Sequence, residues 1–96
     1  MNRQEHLLSC LAEECAEVGQ RVTKALRFGL QEVQPGQPLT NADRILEELR
    51  DLFAVASILA GEGAIGWCLP EQWEVARKLD KIERFMAISR EQGVLE

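Results

Sequence analysis

Two stretches of this chain carry apolar residues at helical spacing, and in each a carboxylate occupies a place in the apolar line. In the first stretch Leu7, Leu11, Val18 and Val22 recur at intervals that keep one helix face, and Glu14 falls in the same register. In the second, Ile45, Leu52, Val55 and Leu59 recur likewise, with Glu48 in the missing position. Each has an acidic partner three residues on, Glu17 after Glu14 and Asp51 after Glu48. Residues three apart on a helix share a face, so each stretch aims a two-carboxylate fork at the surface where helices pack. Burying a carboxylate is unfavourable unless it is paired or bound to a cation. Four facing acids therefore predict a hard divalent cation with oxygen ligands, most simply Mg2+ with Mn2+ as a substitute.

The rest of the pattern is helical too. The first helix is expected from about Gln4 to Phe28, with Gly29 ending it as a left-handed cap. Gly19 inside that helix lowers its stability and predicts close approach of another backbone. Residues 30–41 hold two prolines and a glycine and form a loop, long enough either to cover a substrate or simply to connect. Thr40 or Asn41 can cap a second helix over residues 42–60, with Asp43 in its first turn. The glycine-rich segment 61–69 is a turn, and Pro70 suits the first turn of a third helix reaching Glu91. That helix carries an apolar stripe of Val75, Leu79, Ile82 and Met86. No segment shows strand alternation. The expected fold is all-α, one domain over residues 1–96, an antiparallel bundle of three main helices.

Ninety-six residues bury a modest core. With carboxylates occupying part of it, completion by oligomerisation, as a homodimer or homotetramer, is expected. The net charge of −5 disfavours nucleic-acid polymers and anionic membranes, whose partners are basic. No apolar run approaches the roughly 20 residues that span a bilayer, and no signal peptide opens the chain. Cys10, Cys15 and Cys68 lack zinc spacing and read as reduced, buried thiols, which places the protein in the cytoplasm. The single histidine, His6, reads as a surface residue, and its isolation argues against a di-iron bundle.

Glu13-Glu14-Cys15-Ala16-Glu17 resembles the EExxE motif of the MazG-like, all-α nucleoside triphosphate pyrophosphohydrolases. Glu48-Leu49-Arg50-Asp51 resembles their ExxD motif, and the segment KALRFGL is similar to that of short, phage-type members. The resemblance covers roughly residues 7–60. It implies hydrolysis of a nucleoside triphosphate to the monophosphate and pyrophosphate, with Mg2+ on Glu14, Glu17, Glu48 and Asp51, in a nucleotide-pool housekeeping role. The cation would acidify an attacking water, and Glu13, adjacent to Glu14 but rotated away from it, could orient that water or hold a neighbouring ligand. The family assembles as dimers or dimers of dimers.

Phosphate contacts need basic groups. Lys24 and Arg27 follow the acidic fork on the first helix, and Lys78 and Lys81 stand out in a third-helix line with Arg77 and Arg84. The plainer account of that line is a solvated face with local ion pairs. Trp67 and Trp73 read as packing residues before base-stacking ones. Two other readings stay open: a non-catalytic helical oligomerisation or regulatory module, and the same chemistry on an alarmone or modified nucleotide.

Overall fold

A computed structural model describes residues 1–96 and contains three α-helices and no strands. The first, α1, spans Arg3–Phe28, α2 spans Asn41–Gly61, and α3 spans Gln72–Glu91. Their limits follow from local chemistry. The Asn2 side chain accepts the Glu5 N–H at 2.8 Å and satisfies a donor that the first turn leaves free. At the other end Gly29 adopts φ 96°, a conformation that penalises any side chain, while its N–H closes on the Ala25 carbonyl at 2.8 Å.

Thr40, rather than Asn41, caps α2. Its hydroxyl accepts the Asp43 N–H at 3.1 Å, and the Asp43 carboxylate accepts the Thr40 N–H at 3.4 Å, a reciprocal capping box. Asn41 is used differently. It is the one buried polar residue, and its side-chain amide donates to the Gly29 carbonyl at 2.8 Å. The connection 29–40 is thereby folded onto itself. Val33 and Thr40 form an isolated antiparallel bridge, Arg44 donates to Gln34 at 3.1 Å, and backbone bonds join Asn41 to Glu32 and Ala42 to Leu30.

Helices α1 and α2 pack antiparallel. Arg3 at the start of α1 meets Glu62 just past α2, and Arg21 meets Glu48 further along. The seam holds Leu7, Leu11 and Val18 of α1 against Ile45, Leu52 and Val55 of α2, all half-buried, with Ala25, Ala56 and Leu59 buried. Leu59 is the only large side chain wholly removed from solvent.

Several expectations are corrected. Helix α3 packs on neither α1 nor α2, so this chain forms a helical hairpin plus a projecting helix, not an intramolecular three-helix bundle. The segment between α2 and α3 is held to α2 by Trp67, whose ring lies 5.5 Å from that of Phe53. Pro70 precedes α3 instead of entering its first turn, because Glu71 takes the extended cap conformation (ψ 164°). Val22 leaves the seam and is 39% exposed, since Arg21 faces α2 in its place. Gly19 has open space where a side chain would go, so no backbone of this chain approaches it. Cys10 is half-buried, and Cys15 and Cys68 are exposed free thiols. No helix is long and apolar enough to cross a membrane.

Candidate metal centre

The hairpin brings three of the expected acids together. One carboxylate oxygen from each of Glu14, Glu17 and Glu48 lies within 4.8 Å of the others. Glu14 and Glu17 are presented by successive turns of α1, and Glu48 faces them from α2 across the antiparallel seam. All three are half-buried. Oε2 of Glu14 and Oε2 of Glu48 are shielded from solvent and have no hydrogen-bond partner. A buried oxygen without a donor is unfavourable and uncommon in a folded protein, and here two converge on one cluster.

The electrostatics agree with the geometry. Burial, followed by the charges of Asp51, Glu48 and Glu13, raises the Glu14 carboxyl above its usual range, and the Glu17 carboxyl in hydrogen-bonding range opposes the shift in part. The Glu48 carboxyl is raised as well. The Glu17 carboxyl in hydrogen-bonding range leads, then burial, then the charges of Glu17 and Asp51, with Arg21 opposing. The cluster thus holds more negative charge than its surroundings neutralise, and a bound cation would relieve that excess. Its donor set, carboxylate oxygens alone, suits Mg2+ or Mn2+ in preference to a softer ion.

Asp51 is placed differently from its three companions. It is exposed and outside the trio of converging oxygens, yet it adds negative potential at both Glu14 and Glu48. Glu13 is exposed beside Glu14 and acts on it in the same way. Lys24 is half-buried on α1, three residues beyond Arg21. Arg27 is exposed, with its guanidinium 5.2 Å from the centre of the Phe28 ring. Lys78 and Lys81 lie on α3, which packs on neither hairpin helix, so this chain does not itself bring them to the carboxylates. They line a charged groove with Glu74, Arg77 and Arg84. Trp73 is exposed, donates to Glu71 at 2.9 Å and carries Arg77 over its ring.

One residue at the site escaped the sequence reading. Arg21 is half-buried, with Nε 4.0 Å from Oε1 of Glu48. Its position four residues after Glu17, the spacing of a helical ion pair, was the available signal. A second shielded oxygen outside the cluster, Oε1 of Glu32, belongs to the 29–41 connection. Comparison with models of known protein families, with curated proteins and with solved structures returns no match.

Proposed function

We propose that this protein is a divalent-cation-dependent nucleoside triphosphate pyrophosphohydrolase of the MazG-like kind, releasing a nucleoside monophosphate and pyrophosphate. The observation that carries the reading is the convergence of Glu14, Glu17 and Glu48 across a helix-packing seam, with two of their oxygens shielded and unpartnered. The sequence resemblance of residues 13–17 and 48–51 to the EExxE and ExxD motifs supports the substrate class. Glu14, Glu17 and Glu48 would hold the cation, with Asp51 beside them. Mg2+ bound there supplies charge stabilisation at a phosphoryl oxygen and lowers the pKa of water. The residues of the chain divide the remaining work. The α1 and α2 carboxylates fix the cation between two rigid helices, Arg21 restrains Glu48, and Lys24 offers positive charge to phosphate from the same helix as the acidic fork. Glu13, exposed beside Glu14, would orient the attacking water.

The test is release of pyrophosphate from each common NTP and dNTP in the presence of Mg2+ or Mn2+. Turnover that requires the metal, and falls by at least about 100-fold in Glu48→Gln while helix content is retained, is the expected result. Wild-type turnover in Glu48→Gln would remove the carboxylate cluster from the mechanism. Absence of turnover on every nucleotide, alarmones and modified bases included, would leave a helical association module as the function.

A further inference from the structure

The closed end of the hairpin holds a second group of polar side chains, which the carboxylate cluster does not use. Arg44, Glu48 and Asp51 are four and three residues apart on α2, so they share one helix face. Arg44 is thus on the acidic side of the hairpin, one turn before Glu48, or about 6 Å along the helix axis. It is half-buried near the N-terminal end of α2, where the helix dipole disfavours a cation. No carboxylate comes within ion-pair distance of it, since the two ion pairs of the chain belong to Arg3 and Arg21. Its side chain makes one hydrogen bond, from an Nη to the amide oxygen of Gln34 at 3.1 Å, which leaves the other guanidinium nitrogens without an acceptor.

The connection supplies the opposite chemistry. Glu32 and Gln34 are half-buried and alternate with exposed Gln31, Val33 and Pro35, and Val33 is in an extended bridge with Thr40. Side chains two apart in an extended segment leave it on the same side, so Glu32 lies on the side from which Gln34 meets Arg44. Its backbone is pinned, the N–H donating to the Gly29 carbonyl at 3.4 Å and the carbonyl accepting from the Asn41 N–H at 3.0 Å. Its Oε1 is nonetheless shielded from solvent and accepts no hydrogen bond, an unfavourable and uncommon state. An acceptor without a donor and donors without an acceptor therefore occur on one short stretch of surface, and they do not pair with each other.

We infer that Glu32 and Arg44 read the base of the nucleotide whose phosphates the carboxylate cluster holds, and that the base is guanine. That the ligand is a nucleotide rests on the hydrolase reading, and the choice of base rests on these two side chains. A carboxylate offers two acceptors side by side, and a guanidinium edge offers two donors. Guanine alone among the common bases presents two adjacent donors, N1–H and the N2 amino group, followed by two adjacent acceptors, O6 and N7. Adenine would set the lone pair of N1 against the carboxylate, and cytosine and uracil each lack one of the two pairs. Leaving a partly buried prong unmatched is costly. The placement agrees with this division of labour. Arg44 is a turn beyond Glu48, and its guanidinium reaches on to the connection, away from the cluster, so the base would lie past the phosphates. The backbone bonds of Glu32 and the capping box of Thr40 fix both groups before a ligand arrives.

The experiment is calorimetric titration of the full chain in saturating Mg2+ with GMP, IMP, AMP, CMP, UMP and base-free ribose 5-phosphate, alongside pyrophosphate release from the triphosphates. GMP should bind at least about 10-fold more tightly than AMP, CMP, UMP or ribose 5-phosphate, with IMP, which lacks the N2 amino group, in between. Glu32→Gln and Arg44→Gln, with helix content retained, should each bring GMP to within about threefold of AMP. A merely loosened connection would weaken every ligand alike and keep the ratio. AMP or ribose 5-phosphate binding as tightly as GMP overturns the inference in the wild type alone, as does no binding of GMP, and so does a preference for GMP retained in both variants. Selective GMP binding without pyrophosphate release from any triphosphate would remove the hydrolase reading and leave the guanine site standing. Equal turnover of all four triphosphates would do the reverse.

Discussion

Leu59→Ala probes whether the α1–α2 seam is the core that positions the carboxylates. Leu59 is 0% exposed and is the only large side chain fully enclosed. Removing its isobutyl group forfeits transfer energy and leaves a cavity between two helices that cannot fully collapse, for about 3 kcal/mol. A domain of this size has a total stability of roughly 5 kcal/mol at the low end of the usual range, so more than half would be lost. With about 4–8 °C of melting temperature per kcal/mol for a small domain, the midpoint should fall by about 12–24 °C. Helical circular dichroism followed on heating, at one fixed protein concentration with and without Mg2+, reads this directly. A fall of less than about 3 °C would mean that Leu59 lies outside the cooperative core, and the seam could not then be what holds Glu14 and Glu48 together.

Because Glu14 and Glu48 sit above the ordinary carboxylate range, the folded chain binds more protons than the unfolded one between the ordinary and the raised values. Their contribution to stability is greatest below that window and is lost as pH rises through it. Glu62, lowered by Arg3, acts in the opposite sense at more acidic pH. In chelator, melting temperature against pH should therefore decline less across the window in Glu14→Gln than in wild type, and an unchanged profile would contradict the assignment. Thr40→Ala breaks the capping box of α2 and should destabilise by about 1 kcal/mol, or about 4–8 °C. Thr40→Ser should restore most of it, as read by the same melts.

The helices were legible because their signals are local. Glu14 and Glu48 stood out because an acid in an apolar register has few structural explanations, and the fold does place both in the seam. Gly29, with its positive φ, ended α1 where the sequence placed the stop. What was not legible depended on partners. Periodicity says that α3 has an apolar face but not what that face meets, so the expected bundle did not form within the chain. The same limit misplaced Val22, which belongs to a second row displaced from the seam. Arg21 and Asp51 show a finer version: helical spacing put Asp51 near the cluster, yet it lies about a quarter turn from the seam and is exposed, while Arg21 meets Glu48.

The two ends of the hairpin are fastened by interactions of different character. At one, the 29–41 connection is a web of short neutral hydrogen bonds around a buried Asn41. At the other, Arg3 and Glu62 meet in a two-pronged but exposed ion pair, both bonds 3.0 Å. Dissolved salt screens the second and barely touches the first. Raised ionic strength should therefore release the Arg3–Glu62 pair at the open end, while Leu59, three residues before Glu62 and wholly enclosed, keeps the helices together there.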